Sequence, residues 1–125
     1  MPRTRTSPRS TFDPVRAAAR GLPEVEECLY YGVPALKVRG HMFVCLASHS
    51  SAEPDTLVVR MSIDLRDACI AEQPDVYYLT DHYVGYDTVL VRLRRVSREA
   101  LHDLVTSAHR YMSGKKTKTS ARTRR

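Results

Sequence analysis

Four side chains within six residues, Asp81, His82, Tyr83 and Tyr86, form the densest group of chemically capable residues in the sequence. Gly85 lies among them, which suits a shaped surface loop. A histidine beside an aspartate can act as a general base, and a lysine on a neighbouring strand can hold an anion. A groove lined by Tyr31, Lys37, His82, Tyr83 and Tyr86 is therefore one candidate site. Spacing places no nucleophile with a supporting base there, so the groove reads as a binding site for a small anionic ligand or a protein partner. An enzymatic role stands behind that reading.

A second group is cationic. In Thr88–Val96, Val89, Val91 and Leu93 share one face, and Arg92 and Arg94 fall on the other with Thr88 and Leu90. Thr56–Ser62 alternates likewise, with Leu57, Val59 and Met61 opposed to Val58 and Arg60. Period-two alternation marks strands with a buried and a wetter face. Lys37 and Arg39 share the face that excludes Leu36 and Val38. Together Lys37, Arg39, Arg60, Arg92 and Arg94 are expected on the sheet side away from the helices. Guanidinium groups bind phosphates bidentately and tyrosines stack on bases, so such a face suits nucleic acid. The opposing expectation is a solvated face with each arginine paired to a carboxylate.

The third group lies at the ends. Lys115, Lys116, Lys118, Arg122, Arg124 and Arg125 crowd the last eleven residues, and Arg3, Arg5 and Arg9 the front. Neither end contains an acid. The net charge of +6 therefore belongs to the tails, because Ser10–Met112 carries 11 basic and 14 acidic side chains. A cationic tail displaces counterions from a phosphate backbone and gives salt-sensitive affinity without sequence preference. No apolar residues accompany the charges, so a membrane surface is a poor partner.

Other groupings carry less. His41, His49, His82, His102 and His109 lack the i, i+4 pairing or cysteine partners of a zinc site. No metal and no cofactor is expected. Ser48-His49-Ser50-Ser51 has only its composition to suggest catalysis, and the five glycines match no phosphate-binding loop. Cys28, Cys45 and Cys69 are widely spaced among apolar neighbours and read as reduced core thiols.

The elements that must position these residues follow from pattern. Thr11 or Asp13 can cap a first helix with Pro14 in its first turn, and Gly21 with Pro23 stops it. Glu24–Tyr31 is extended and Gly32-Val33-Pro34 breaks it. Ala35–Val38 turns at Arg39-Gly40 into Met42–Ala47. A strand at Thr56–Ser62 leads to a short helix capped by Ser62 or Asp64, with Leu65, Ala68 and Cys69 as its buried stripe. Val76–Leu79 and Thr88–Val96 are strands, and Ser97 caps a last helix whose Leu101, Leu104, Val105, Ala108 and Met112 line one side. The order α-β-β-β-β-α-β-β-α with short connections implies an α+β fold. Its expected form is a single two-layer domain, a mostly antiparallel sheet of five to six strands with helices on one face.

At 125 residues the chain is one domain, and 42% apolar content suits a folded body. Residues 11–112 are expected to form it, between disordered basic arms at 1–10 and 113–125. No apolar run approaches a membrane span and the N-terminus has no apolar leader, so the expected location is cytoplasmic. A monomer is assumed.

Two segments together resemble a known family. Leu22-Pro-Glu-Val-Glu-Glu with Tyr31-Gly-Val-Pro-Ala-Leu-Lys-Val-Arg-Gly-His-Met-Phe43 is similar to the opening of MmcQ/YjbR-type proteins. Asp81-His-Tyr-Val-Gly-Tyr with Val89-Leu-Val-Arg-Leu is similar to their second half. The match covers roughly Phe12–Met112. It implies a two-layer α+β fold of frataxin-like arrangement. The family is commonly labelled DNA-binding, with a double-wing surface and no catalytic motif. The joint expectation is a small non-enzymatic domain that binds DNA weakly, aided by its basic tails.

Overall fold

Two turns that few residue types tolerate fix the register of half the sheet. In the computed structural model, which describes residues 8–115, β1 (Val25–Tyr30), β2 (Val33–Val38) and β3 (His41–Leu46) run antiparallel. Tyr30 pairs with Val33 across Tyr31 and Gly32, and Val38 pairs with His41 across Arg39 and Gly40. All four turn residues have positive φ, at 54°, 82°, 53° and 86° in chain order. Two successive left-handed residues form a turn whose twist matches the strands it joins, and glycine takes the second position without a Cβ clash. The hairpin expected at Arg39-Gly40 is present. The break expected at Gly32–Pro34 closes earlier, for Val33 and Pro34 belong to β2. Pro34 is tolerated because pairing with β3 starts only at Ala35.

The sheet continues with β4 (Thr56–Arg60), β5 (Tyr77–Tyr78) and β6 (Thr88–Arg92), in the spatial order β1-β2-β3-β4-β6-β5, antiparallel throughout. Helices α1 (Pro8–Ala19), α2 (Ile63–Glu72) and α3 (Arg98–Ser113) complete the expected α-β-β-β-β-α-β-β-α order. α1 begins at Pro8, inside the stretch expected as an arm, and holds Pro14 in its interior. The disorder expected at the two ends falls largely on residues 1–7 and 116–125, outside the described residues. No helix among the described residues is long and apolar enough to cross a membrane.

One face of the sheet packs on the helices. Phe12, Val15, Ala18 and Ala19 of α1 meet Leu101, Leu104, Val105, Ala108 and Met112 of α3 over Leu57, Val59, Val89 and Val91. The stripe read on α3 is the stripe buried, and Ser97 caps that helix by accepting from the Ala100 N–H at 3.0 Å. In β3 both Phe43 and Val44 point this way, because Leu36 pairs with Val44 and Lys37 with Met42, leaving Phe43 as an extra residue. That bulge seats Phe43 edge-on against His109, ring centroids 5.4 Å apart.

α2 departs from its expected stripe. Leu65 and Ala68 are exposed, while Arg66 is buried and Cys69 and Ile70 pack against the core. Ser62 does cap the helix, accepting from the Leu65 N–H at 3.2 Å. Hydrophobicity alone chose the wrong side because the buried position holds an arginine whose guanidinium has partners of its own.

A loop-roofed chamber as the candidate functional site

The opposite face of the sheet is also apolar at its centre. Ala35, Met42, Cys45, Val58 and Leu90 are buried there beneath Tyr83, with Cys28, Tyr30 and Tyr78 at the margin. Among the described residues no helix covers this side. Two loops do, residues 47–53 and 79–87, and polar contacts stitch them together. Ser51 Oγ and Thr80 Oγ1 lie 2.8 Å apart, and the backbone N–H of His49 donates to the Tyr83 hydroxyl at 3.4 Å. Tyr78 ties the first loop to the sheet, accepting from the Glu53 N–H at 2.8 Å and meeting Thr56 Oγ1 at 2.6 Å. Arg66 holds the second loop from below, donating from Nη1 to the carbonyls of Val84 and Tyr86, each at 3.2 Å.

Between roof and sheet lies a chamber of about 480 Å³. Met42, Cys45, Val58 and Thr88 line its floor, and Tyr30, Tyr31, His49, His82, Tyr83 and Tyr86 its walls and rim. The rings of His49 and His82 are stacked, 3.6 Å between centroids and 9° from parallel. Tyr83 meets both edge-on. The Ser51 N–H donates to His49 Nδ1 at 3.0 Å, so in the neutral ring the proton sits on Nε2. This is a concave, ring-lined site of a size that suits small molecules.

Arg60 supplies the chamber's cation. Its Nη1 donates to Asp87, whose other carboxylate oxygen accepts from the Tyr111 hydroxyl at 2.9 Å. Burial, the largest single influence on Asp87, would raise its pKa. The hydrogen bonds from Tyr111 and Arg60, with the charge of Arg60, outweigh it and hold the carboxyl below its usual range. Three buried side-chain atoms among the described residues lack a partner: Arg60 Nε, Thr88 Oγ1 and Thr106 Oγ1. The first two belong to residues lining this chamber. Neither atom has accessible surface, so a group in the chamber would meet Arg60 through the part of its side chain that is exposed, about a fifth (21%) of it.

Burial disfavours the reactive, ionised forms of two chamber side chains. Burial pushes the Cys45 thiol up to about 12, with Arg60 pulling weakly the other way, and burial also raises the Tyr83 hydroxyl. Asp81 makes no ion pair with His82, which is stacked on His49 instead. Among the described residues the general-base pairing that these neighbours could offer is not seen.

The candidate groove residues separate cleanly. Tyr31, His82, Tyr83 and Tyr86 line the chamber, whereas Lys37 does not. Lys37 lines an adjoining recess of about 160 Å³ with Cys28, Leu29, Tyr30, Gly40, His41, Met42, Arg60 and Met112. Arg60, read from the sequence as a nucleic-acid contact, takes the place in the chamber expected of Lys37. His49 and Thr88 escaped the sequence reading as site residues, since their partners lie tens of residues away and no local pattern marks them.

The arginine face is overturned. Arg60 and Arg92 do stand on the side away from the helices, but each is engaged by a carboxylate. Arg92 clamps Glu53 with two bonds of 2.8 Å, donates to the carbonyls of Pro74 and Asp75 at 3.1 Å, and lies over the Tyr78 ring. Arg94 pairs with Asp55 at 3.0 Å. It is not a strand residue at all, because β6 ends at Arg92 and a turn follows. Arg39 occupies a hairpin turn. Arg60, Arg92 and Arg94 are thus each held by a loop carboxylate, and Leu90 and Val58 hold the middle of the face. Of the six cations of the C-terminal tail only Lys115 is described, its Nζ 5.0 Å from the centroid of the Tyr111 ring. Lys116, Lys118, Arg122, Arg124 and Arg125 lie outside the described residues.

A family model described as YjbR matches residues 20–111. Uncharacterised proteins of Mycobacterium tuberculosis and Mycobacterium bovis are each 38% identical over 65 residues, covering 49% of this chain and 50% of the relative. The chain spans about half the length of the curated relatives it matches. The crystal structure of a Deinococcus radiodurans protein with the domain DUF419 superposes with a TM-score of 0.68 at 20% identity. That match covers 87% of this chain and 83% of the other, and it shows the fold.

Proposed function

The chain belongs to the YjbR family, and from that premise we propose that it is a non-enzymatic binding domain that holds a small aromatic anion in the loop-roofed chamber. The single observation behind this reading is Arg60, a partly exposed guanidinium set in the lining of a chamber walled by tyrosines and a stacked histidine pair. Rings stack on a planar ligand and the guanidinium receives its negative group. The inert Cys45 thiol favours binding over covalent chemistry. Three free cysteines suit a reducing compartment such as the cytoplasm.

The nucleic-acid reading now rests on the tails, since Arg92 is held by Glu53, Arg94 by Asp55, and Arg60 lies in the chamber. A titration of the isotope-labelled full chain with phenyl phosphate, indole-3-acetate and adenosine monophosphate tests the proposal by NMR. Shifts are expected at Arg60, His82, Tyr83 and Thr88, with at least one probe binding about tenfold more weakly to Arg60→Gln. His82→Ala, at the exposed rim, serves if the Arg60 variant melts. Absence of any shift in the chamber would sink the reading. DNA retention that survives removal of residues 116–125 and falls with Arg92→Ala would restore the sheet-face alternative.

A further inference from the structure

The chamber and the recess beside it are separated by shared walls. Tyr30, Met42 and Arg60 line both, and the recess adds Lys37 and His41. The topology accounts for this. β2 and β4 flank β3, so Lys37 from one and Arg60 from the other stand on either side of Met42, which pairs with Lys37 across the β-bulge. Two cations that are far apart in sequence thereby share one small cavity. Glu26 sits opposite Lys37 in register on β1 but forms no ion pair with it, and among the described residues no carboxylate lies within ion-pair distance of the Lys37 ammonium. The carboxylate nearest this pair of cations in the hydrogen-bond network is Asp87, on the Nη1 side of Arg60.

We propose that the ligand is bipartite, with a planar aromatic body in the chamber and a phosphate or carboxylate group in the recess between Arg60 and Lys37. This rests on the binding function proposed above. The two cavities differ in the way such a molecule requires: one is ring-lined and roomy, the other narrow and flanked by an ammonium and a guanidinium. Arg60 is the hinge of the arrangement because it alone contributes a charge to both. A guanidinium fork fixes the direction of an oxyanion, and the ammonium adds a second charge without demanding geometry. Neither half alone uses the whole site. An unsubstituted ring leaves Lys37 without an acceptor, and a bare inorganic anion leaves the tyrosines uncovered.

Matched probe pairs measure this directly. Phenyl phosphate against phenol, adenosine monophosphate against adenosine, and indole-3-acetate against 3-methylindole are titrated into the full chain and into Lys37→Gln. At least one anionic member is expected to bind about tenfold more tightly than its neutral partner, as one charged hydrogen-bonded contact allows. In Lys37→Gln that advantage should shrink to about twofold or less, while the neutral partner binds unchanged. The type of pair that shows the effect tells phosphate from carboxylate. Lys37→Arg, which keeps the charge, should retain most of the advantage. If probes shift His82 and Tyr83 but the advantage survives Lys37→Gln, the recess plays no part and only this proposal falls. If no probe perturbs the chamber, the binding function itself falls and takes the bipartite ligand with it. A wild-type melting curve for Lys37→Gln confirms that the comparison is made between folded proteins.

Discussion

The two faces of the sheet start from the same strands and finish differently. On the helix side Phe12, Val15, Phe43, Leu57 and Val91 are fully buried, and His109 meets the Pro23 carbonyl at 2.8 Å. On the loop side Leu90 is as deeply buried, yet the loops above it leave a chamber of about 480 Å³. A helix satisfies its own backbone and delivers a continuous apolar stripe, so it can seal a sheet to crystal-like density. A loop must spend side chains on holding itself, here Tyr78, Ser51, Thr80 and Arg66. What it leaves behind is a chamber. One face therefore carries the stability and the other has room for a ligand.

The sharpest way to break that division is Phe43→Ala. It removes a fully buried ring from the helix side and should cost about 3–5 kcal/mol in denaturant unfolding, leaving probe affinity intact wherever the protein remains folded. A cost under 1 kcal/mol would mean that the helix face is not the stabilising one. Arg66→Ala should come next, at roughly 1–3 kcal/mol, since it strips the Val84 and Tyr86 carbonyls of a buried charged donor. Here hydrogen exchange should rise in residues 80–87 and the chamber should lose its probes, whereas equal exchange everywhere would show that the roof does not depend on this arginine.

Arg92→Ala is a smaller perturbation. Arg92 and Glu53 are partly exposed, so a drop in Tm of a few degrees is expected, with no change in any salt-dependent DNA retention. The mildest test is of the Asp87 clasp. Its carboxyl is depressed in the fold, so its stabilising effect is complete above about pH 4, the ordinary range of an unfolded aspartate, and fades as pH falls through the lower folded value. Tyr111→Phe should lower stability by about 1 kcal/mol at neutral pH, and the difference from wild type should narrow below pH 4. A constant difference down to pH 2 would mean that Tyr111 acts through packing and not through the charged carboxylate.

Periodic elements were legible in the sequence because their signals are local. The α3 stripe, its Ser97 cap, the Arg39-Gly40 hairpin and the element order all follow from residues within a turn or two of one another. The bulge at Phe43 and the arginine on the buried side of α2 were hidden, since each depends on a neighbour from elsewhere in the chain. Arg94 illustrates the limit of alternation: the strand ends at Arg92, four residues short of the expected Val96, which removed it from the face to which the pattern assigned it.

The amino-acid order alone thus determined the fold class, the family and the ring-rich loop at Asp81–Tyr86, all of which arise from short-range spacing. It also supplied the arginines, though not their use. Only the folded chain decided that Glu53, Asp55 and Asp87 would meet Arg92, Arg94 and Arg60, and that His49 would stack on His82 across 33 positions of sequence. Charge pairing and ring stacking act over a few ångströms, and those distances exist only after the strands have found their register.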